Sequence, residues 1–227
     1  MSTKWKATLA SAVGALLVMA AAAKSPANSV IEGMAANNKQ LRQYTYKQRS
    51  ETYQQGELKN TTVDEIHYNP LGERVGIPID QHQAAPEAPS RGPGHRLIAK
   101  KIEKEKEEMK DYIDRLKALA ERYPGTDSGK LKDAIAKAEI ITSGGSSLTR
   151  IRMRDYVKPG DSMTMSFDQA TKRPVETEIS TFLDGGPVSI VVAFDQIHDG
   201  PNYPSRIVIT SATKQIEIRV FTYEYRL

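Results

Sequence analysis

Arg150, Arg152 and Arg154 alternate along five residues, the spacing in this sequence that points most directly to chemistry. On an extended strand they share one sheet face, where three guanidinium groups could hold a phosphate or carboxylate. A solvated outer face has the same appearance, so both readings stand. In a meander the next strand would set Ser162, Thr164 and Ser166 against them. Glu176 and Glu178 come one strand further, roughly 10 Å away, so direct neutralisation is not guaranteed. Such a stripe would serve an anionic membrane or an envelope protein partner.

Other constellations are thinner. His82 and His95 lie in or beside a Pro/Gly-rich stretch with no carboxylate or thiolate at ligand spacing, which reads as solvated loop and not as a metal site. His67 and His198 could pair with Asp64 or Asp195, but among 28 acids such neighbours arise by chance. There is no G-x-S-x-G elbow, H-E-x-x-H or P-loop, and Gly144-Gly145-Ser146-Ser147 precedes a strand, not a helix. The chain has no cysteine, which removes disulfides, thiolate ligands, cysteine nucleophiles and a lipidated anchor. The expectation is a non-enzyme without cofactor or metal.

The N-terminus changes the charge balance. Lys4 and Lys6 precede the apolar run Ala7–Ala23, which closes with Ala21 and Ala23 in an A-x-A arrangement, the layout of a signal peptide cleaved near Ala23. An uncleaved anchor is the alternative, although an Ala-rich run of about 17 residues is short for a spanning helix. Residues 1–23 hold two bases and no acid, so without them the net charge falls from +4 to +2. Export and near-neutrality argue against nucleic acid. The expected location is periplasmic or secreted, with no stable transmembrane anchor.

The remaining chain, 24–227, reads as a single domain. Val30–Arg42 has helical spacing. Tyr44–Glu51 and Leu58–Tyr68 alternate around Gln55-Gly56 as a hairpin. Residues 70–94, rich in Pro and Gly, read as a loop. A helical insertion over 95–139 follows: His95–Tyr123, whose apolar stripe thins over Lys100–Lys110, then Asp127–Glu139. From Leu148 onward six strands with one apolar and one polar face succeed one another. The spacing predicts an α+β fold: a curved antiparallel sheet, or half-barrel, of about eight strands with helices covering its concave face.

The order of these elements resembles the periplasmic lipoprotein-carrier (LolA-like) superfamily. The resemblance rests on Tyr44-Thr45-Tyr46, Lys172-Arg173-Pro174-Val175-Glu176, and Phe194-Asp195 followed by Tyr203-Pro204-Ser205-Arg206-Ile207. It implies a carrier or sensor binding a hydrophobic ligand, a lipid or an acylated protein, and supplies no residue roles. The apolar face would contribute Tyr44, Tyr46, Met153, Met163, Met165, Phe167, Ile190, Val192 and Phe194, with three flexible methionines suited to acyl chains. These residues would equally suit a filled core in a structural or interaction module that docks partners through charged surfaces.

Overall fold

The computed structural model describes residues 26–83, 95–123, 128–142, 147–171 and 173–227. The expected signal segment 1–23, the stretch 84–94 and Lys172 lie outside them. In chain order the elements are α1 (Pro26–Leu41), β1 (Thr45–Gln54), β2 (Glu57–Tyr68), β3 (Arg74–Gln83), α2 (His95–Ala120), α3 (Ser128–Ala136), β4 (Glu139–Thr142), β5 (Leu148–Arg154), β6 (Ser162–Asp168), β7 (Pro174–Leu183), β8 (Gly186–Gln196), β9 (Asn202–Ser211) and β10 (Ile216–Arg226).

All ten strands form one open, curved antiparallel sheet in the order β3-β2-β1-β10-β9-β8-β7-β6-β5-β4. Two-residue connections set much of the register. Gln55 (φ 54°) with Gly56 (φ 82°) and Asp184 (φ 51°) with Gly185 (φ 77°) place two consecutive residues in the left-handed region. That backbone twist matches the twist of paired strands.

Among the described residues the sheet has ten strands, not about eight. The two additions are its edges. β3 occupies Arg74–Gln83, inside the stretch read as loop, and pairs with β2 along its length. Its Pro78 sits beside a register shift opposite Asp64, on an edge strand, where a residue without an N–H is tolerated. β4 begins at Glu139, the residue read as the end of a helix, and runs for only four residues.

The apolar alternation of β5–β10 is fully used on one face, here called inner. Ile151 and Met153, then Met163, Met165 and Phe167, then Ile179, Ile190, Ile209 and Ile218, are buried in one cluster with the helices. α2 contributes Tyr112, Leu116, Leu119 and Tyr123, and α3 contributes Leu131 and Ile135; Ile31 and Met34 of α1 pack alongside. Residues 100–108 of α2 do not take part. Residues 101–108 are exposed throughout, and ion pairs such as Lys101–Glu105 (3.9 Å) and Lys104–Glu108 (3.7 Å) run along that stretch. The helix therefore docks by its second half, as its thinning stripe suggests.

Leu116 is the most enclosed of these helical side chains, at 0% exposure. Leu116→Ala is expected to lower unfolding stability by about 2–5 kcal/mol, whereas Lys104→Ala should stay within about 0.5 kcal/mol. Urea denaturation of the two variants beside the parent measures both.

Candidate functional site

The inner face is chemically divided. Over β5–β10 it is mainly apolar and packs against the helices, with the buried hydroxyls of Thr177, Thr181 and Ser211 set among the aliphatic side chains. Over β1 and β2 the same face carries Gln48, Ser50, Thr52, Gln54, Asn60, Thr62 and Asp64, placed there by the cross-strand pairs Thr52↔Ile218, Ser50↔Val220, Ser50↔Thr62 and Gln48↔Asp64. Apart from buried Thr52 these side chains are half-buried, and none belongs to the helix-covered cluster; further along the same face Tyr46 and Ile66 pair as a buried apolar contact. The side-chain oxygen of Asn60 is shut off from solvent with no hydrogen-bond partner. An unmet buried acceptor of this kind costs about 1–3 kcal/mol.

Polar contacts fix the covering helices at defined points. The Tyr112 and Ser211 hydroxyls share a 2.8 Å hydrogen bond. Arg115 donates to both oxygens of Asp184, at 2.7 and 2.8 Å, in the β7–β8 turn. The Tyr123 hydroxyl lies 2.8 Å from both Asp161 Oδ2 and Thr181 Oγ1. Its single proton serves the carboxylate, leaving the Thr181 hydroxyl to donate. Asp161 also accepts the backbone N–H groups of Tyr156, Val157 and Lys158 at 2.7–3.1 Å, so the latch is built on a hydrogen-bonded loop. Burial above all, with the Asp161 hydrogen bond adding, pushes the Tyr123 hydroxyl up to about 12. At the other end of the cover, Asn37 of α1 donates to the Asn202 carbonyl and accepts its N–H, at 2.8 and 2.7 Å.

The residues singled out from the sequence divide accordingly. Met153, Met163, Met165, Phe167 and Ile190 are buried beneath the helices, with Val192 packed at the cluster's margin. Phe194 is half-buried outside it. Tyr44 and Tyr46 stand apart, in a group of tyrosines at one end of the sheet. Tyr46 stacks on Tyr225 at 4.7 Å between ring centroids, Tyr203 tilts against Tyr225 at 4.4 Å, and Tyr44 meets it edge-on at 6.4 Å. Burial raises the hydroxyls of Tyr68, Tyr203 and Tyr225 above the usual tyrosine range. This packed group was missed in the sequence because its members come from β1 and the residue before it, β2, β9 and β10.

On the outer face the arginine stripe forms as its spacing requires, with Ser162, Thr164 and Ser166 directly opposite. Its neutralising carboxylate comes from the other side. Glu139 of β4 lies 4.0 Å from Arg152 and 3.9 Å from Arg154. Arg150 acts instead on Glu176, whose carboxyl is raised by burial and by a hydrogen bond with Glu178, against the pull of Arg150 and Arg206. The stripe is thus part of a mixed-charge face, not an isolated cationic patch. His198 lies 3.0 Å from Asp199, and both are almost fully exposed. Among the described residues no three His, Asp or Glu side chains are grouped to hold a metal, and no helix is long and apolar enough to cross a membrane.

The chain matches no protein-family model and no curated protein. Three solved structures align with 88% of it. A domain described as a candidate outer membrane lipoprotein-sorting protein from Vibrio parahaemolyticus is 11% identical, covered over 92% of its length, with a TM-score of 0.36. A LolA superfamily protein from Nitrosomonas europaea is 12% identical, covered over 93%, with a TM-score of 0.35. A DUF1329 family protein from Desulfovibrio piger is 7% identical, covered over 92%, with a TM-score of 0.40. Likenesses this distant carry no inference about function.

The Tyr123 latch has a pH signature. A hydroxyl raised from 10.0 to about 12 contributes stability that is complete below pH 10 and is lost as pH rises through about 12. Absorbance titration of the parent minus Tyr123→Phe should therefore show one tyrosine ionising near 12. The variant should also lose about 1 kcal/mol at neutral pH; a difference curve centred at 10 would contradict the latch.

Proposed function

We propose that this is an exported, non-catalytic protein that binds a lipid or an acylated protein on the inner face of its sheet, as carrier or sensor. The observation that carries the reading is the methionine-rich apolar face of β5–β8, closed by one inserted segment, α2–α3. α2 and α3 occupy the surface an acyl chain would take. Binding then requires their displacement. Each methylene moved from water onto that face would contribute about 0.8 kcal/mol, enough for a long chain to replace the helical contacts it removes. The Tyr112, Arg115 and Tyr123 contacts would set how readily the cover lifts. The basic n-region and A-x-A sequence support export, and the element order supports a carrier-like arrangement.

A second reading is favoured by the packing itself. Leu116 and Met153 are 0% and 1% exposed, as expected of an envelope interaction module with a permanently filled core. Its partner surface would be the outer face with Arg150, Arg152 and Arg154.

Native mass spectrometry of protein purified from its own envelope separates the two. The lipid reading expects an adduct of lipid mass, and a several-fold faster uptake of a fluorescent fatty acid when Tyr112→Phe and Arg115→Ala loosen the cover. Protein that is lipid-free and takes up no probe overturns it. Changing Arg150, Arg152 and Arg154 together to Ser should leave lipid content unchanged on the first reading, and abolish partner capture without altering the fold on the second.

A further inference from the structure

Where β10 meets the polar run of β1 and β2 the inner face changes chemistry, and we propose that it is matched to a neutral glycolipid, with acyl chains on β5–β10 and an uncharged sugar headgroup on that polar run. The inference rests on the lipid-binding reading above and narrows the ligand class of that site.

The seam runs between β10 and β1. On its apolar side stand Ile216, Ile218 and Val220; directly opposite stand Gln54, Thr52 and Ser50. The next strand continues the polar side with Asn60 and Thr62. An amphiphile laid across the seam would meet hydrocarbon on one side and amides and hydroxyls on the other. Those groups both donate and accept, as the hydroxyls of a sugar ring require. Three strands span about 10 Å, room for one or two rings.

Charge decides against an anionic headgroup. This part of the face carries Asp64, and the nearby guanidinium of Arg74 is already engaged, donating to Gln48 at 2.6 Å and to the Tyr46 hydroxyl at 3.4 Å. A phosphate would meet the Asp64 carboxylate beside Arg74, so this part of the face holds charge of both signs, where anion recognition calls for clustered guanidinium or ammonium groups. The Asn60 side-chain oxygen, an acceptor the described residues leave unused, belongs to the same set.

The test incubates the full exported chain with vesicles containing equal amounts of glucosyl diacylglycerol and phosphatidylglycerol with identical acyl chains, and reads the captured lipid by native mass spectrometry. The glucosyl lipid should be taken at least tenfold over phosphatidylglycerol. Thr62→Val should reduce that ratio about fivefold with total lipid uptake preserved. Thr62→Lys should turn the preference towards phosphatidylglycerol, an outcome that unfolding would not produce. Equal capture of the two lipids, or a preference unmoved in Thr62→Lys, overturns the headgroup assignment and leaves lipid binding standing. Preferential capture of an acylated peptide with the same chains over both lipids also overturns it. Capture of no lipid overturns this inference together with the reading it rests on.

Discussion

The pairing of β1 with β10 governs the architecture. Every other neighbouring pair in the sheet joins strands consecutive in sequence, so this one ladder welds an N-terminal three-stranded meander to a seven-stranded one. It also sends β3 and β4 to opposite edges, and the chain between them must travel the full width. Nine strand spacings amount to roughly 43 Å, while the 26 residues of α2 reach about 39 Å. The helix is long because the sheet is wide. Its anchors follow that path: Tyr112 at the end of β9, Arg115 at the β7–β8 turn, Tyr123 beside β7 and the entry to β6.

Burial and hydrogen bonding divide their tasks in this cover. Sinking Leu116, Leu119 or Leu131 contributes about 1.5–3 kcal/mol each, against about 1 kcal/mol for a typical hydrogen bond. Apolar contact decides that the helices dock; the hydroxyl and guanidinium contacts decide where. Across the seam Ser50, Thr52 and Gln54 replace the aliphatic side chains of β10, and residues 101–108 of α2 are exposed.

Much of the fold was legible in the sequence, for a definite reason. From Leu148 onward apolar and polar residues alternate cleanly, and a period of two cannot mean much else. The second half of α2 was equally plain at its period of three to four. The misses have physical causes. In Arg74–Gln83 the alternation of Val75, Ile77 and Ile79 was present, but Gly76 and Pro78 obscured it. Glu139–Thr142 was too short for any period, and with it went the carboxylate that faces Arg152 and Arg154. In β1 both faces are rich in polar residues, so alternation could not show that Gln48, Ser50 and Thr52 share a face with the core. The methionines of β5 and β6 were placed on the correct face; whether helices fill that face depends on tertiary packing, which periodicity does not report.

An open sheet is in principle an unfinished object, since each outer strand offers a row of unpaired peptide groups to any passing chain. Here the two margins are protected by different means. β4 is four residues long and presents little to copy. β3 is ten residues long, with Ile77 and Ile79 about half exposed, and would be the dangerous margin. Pro78 and the adjoining register shift interrupt it near its middle. The proline that hid this strand from sequence reading therefore works against polymerisation: it makes β3 the terminus of the sheet rather than the template for an eleventh strand from a neighbouring molecule.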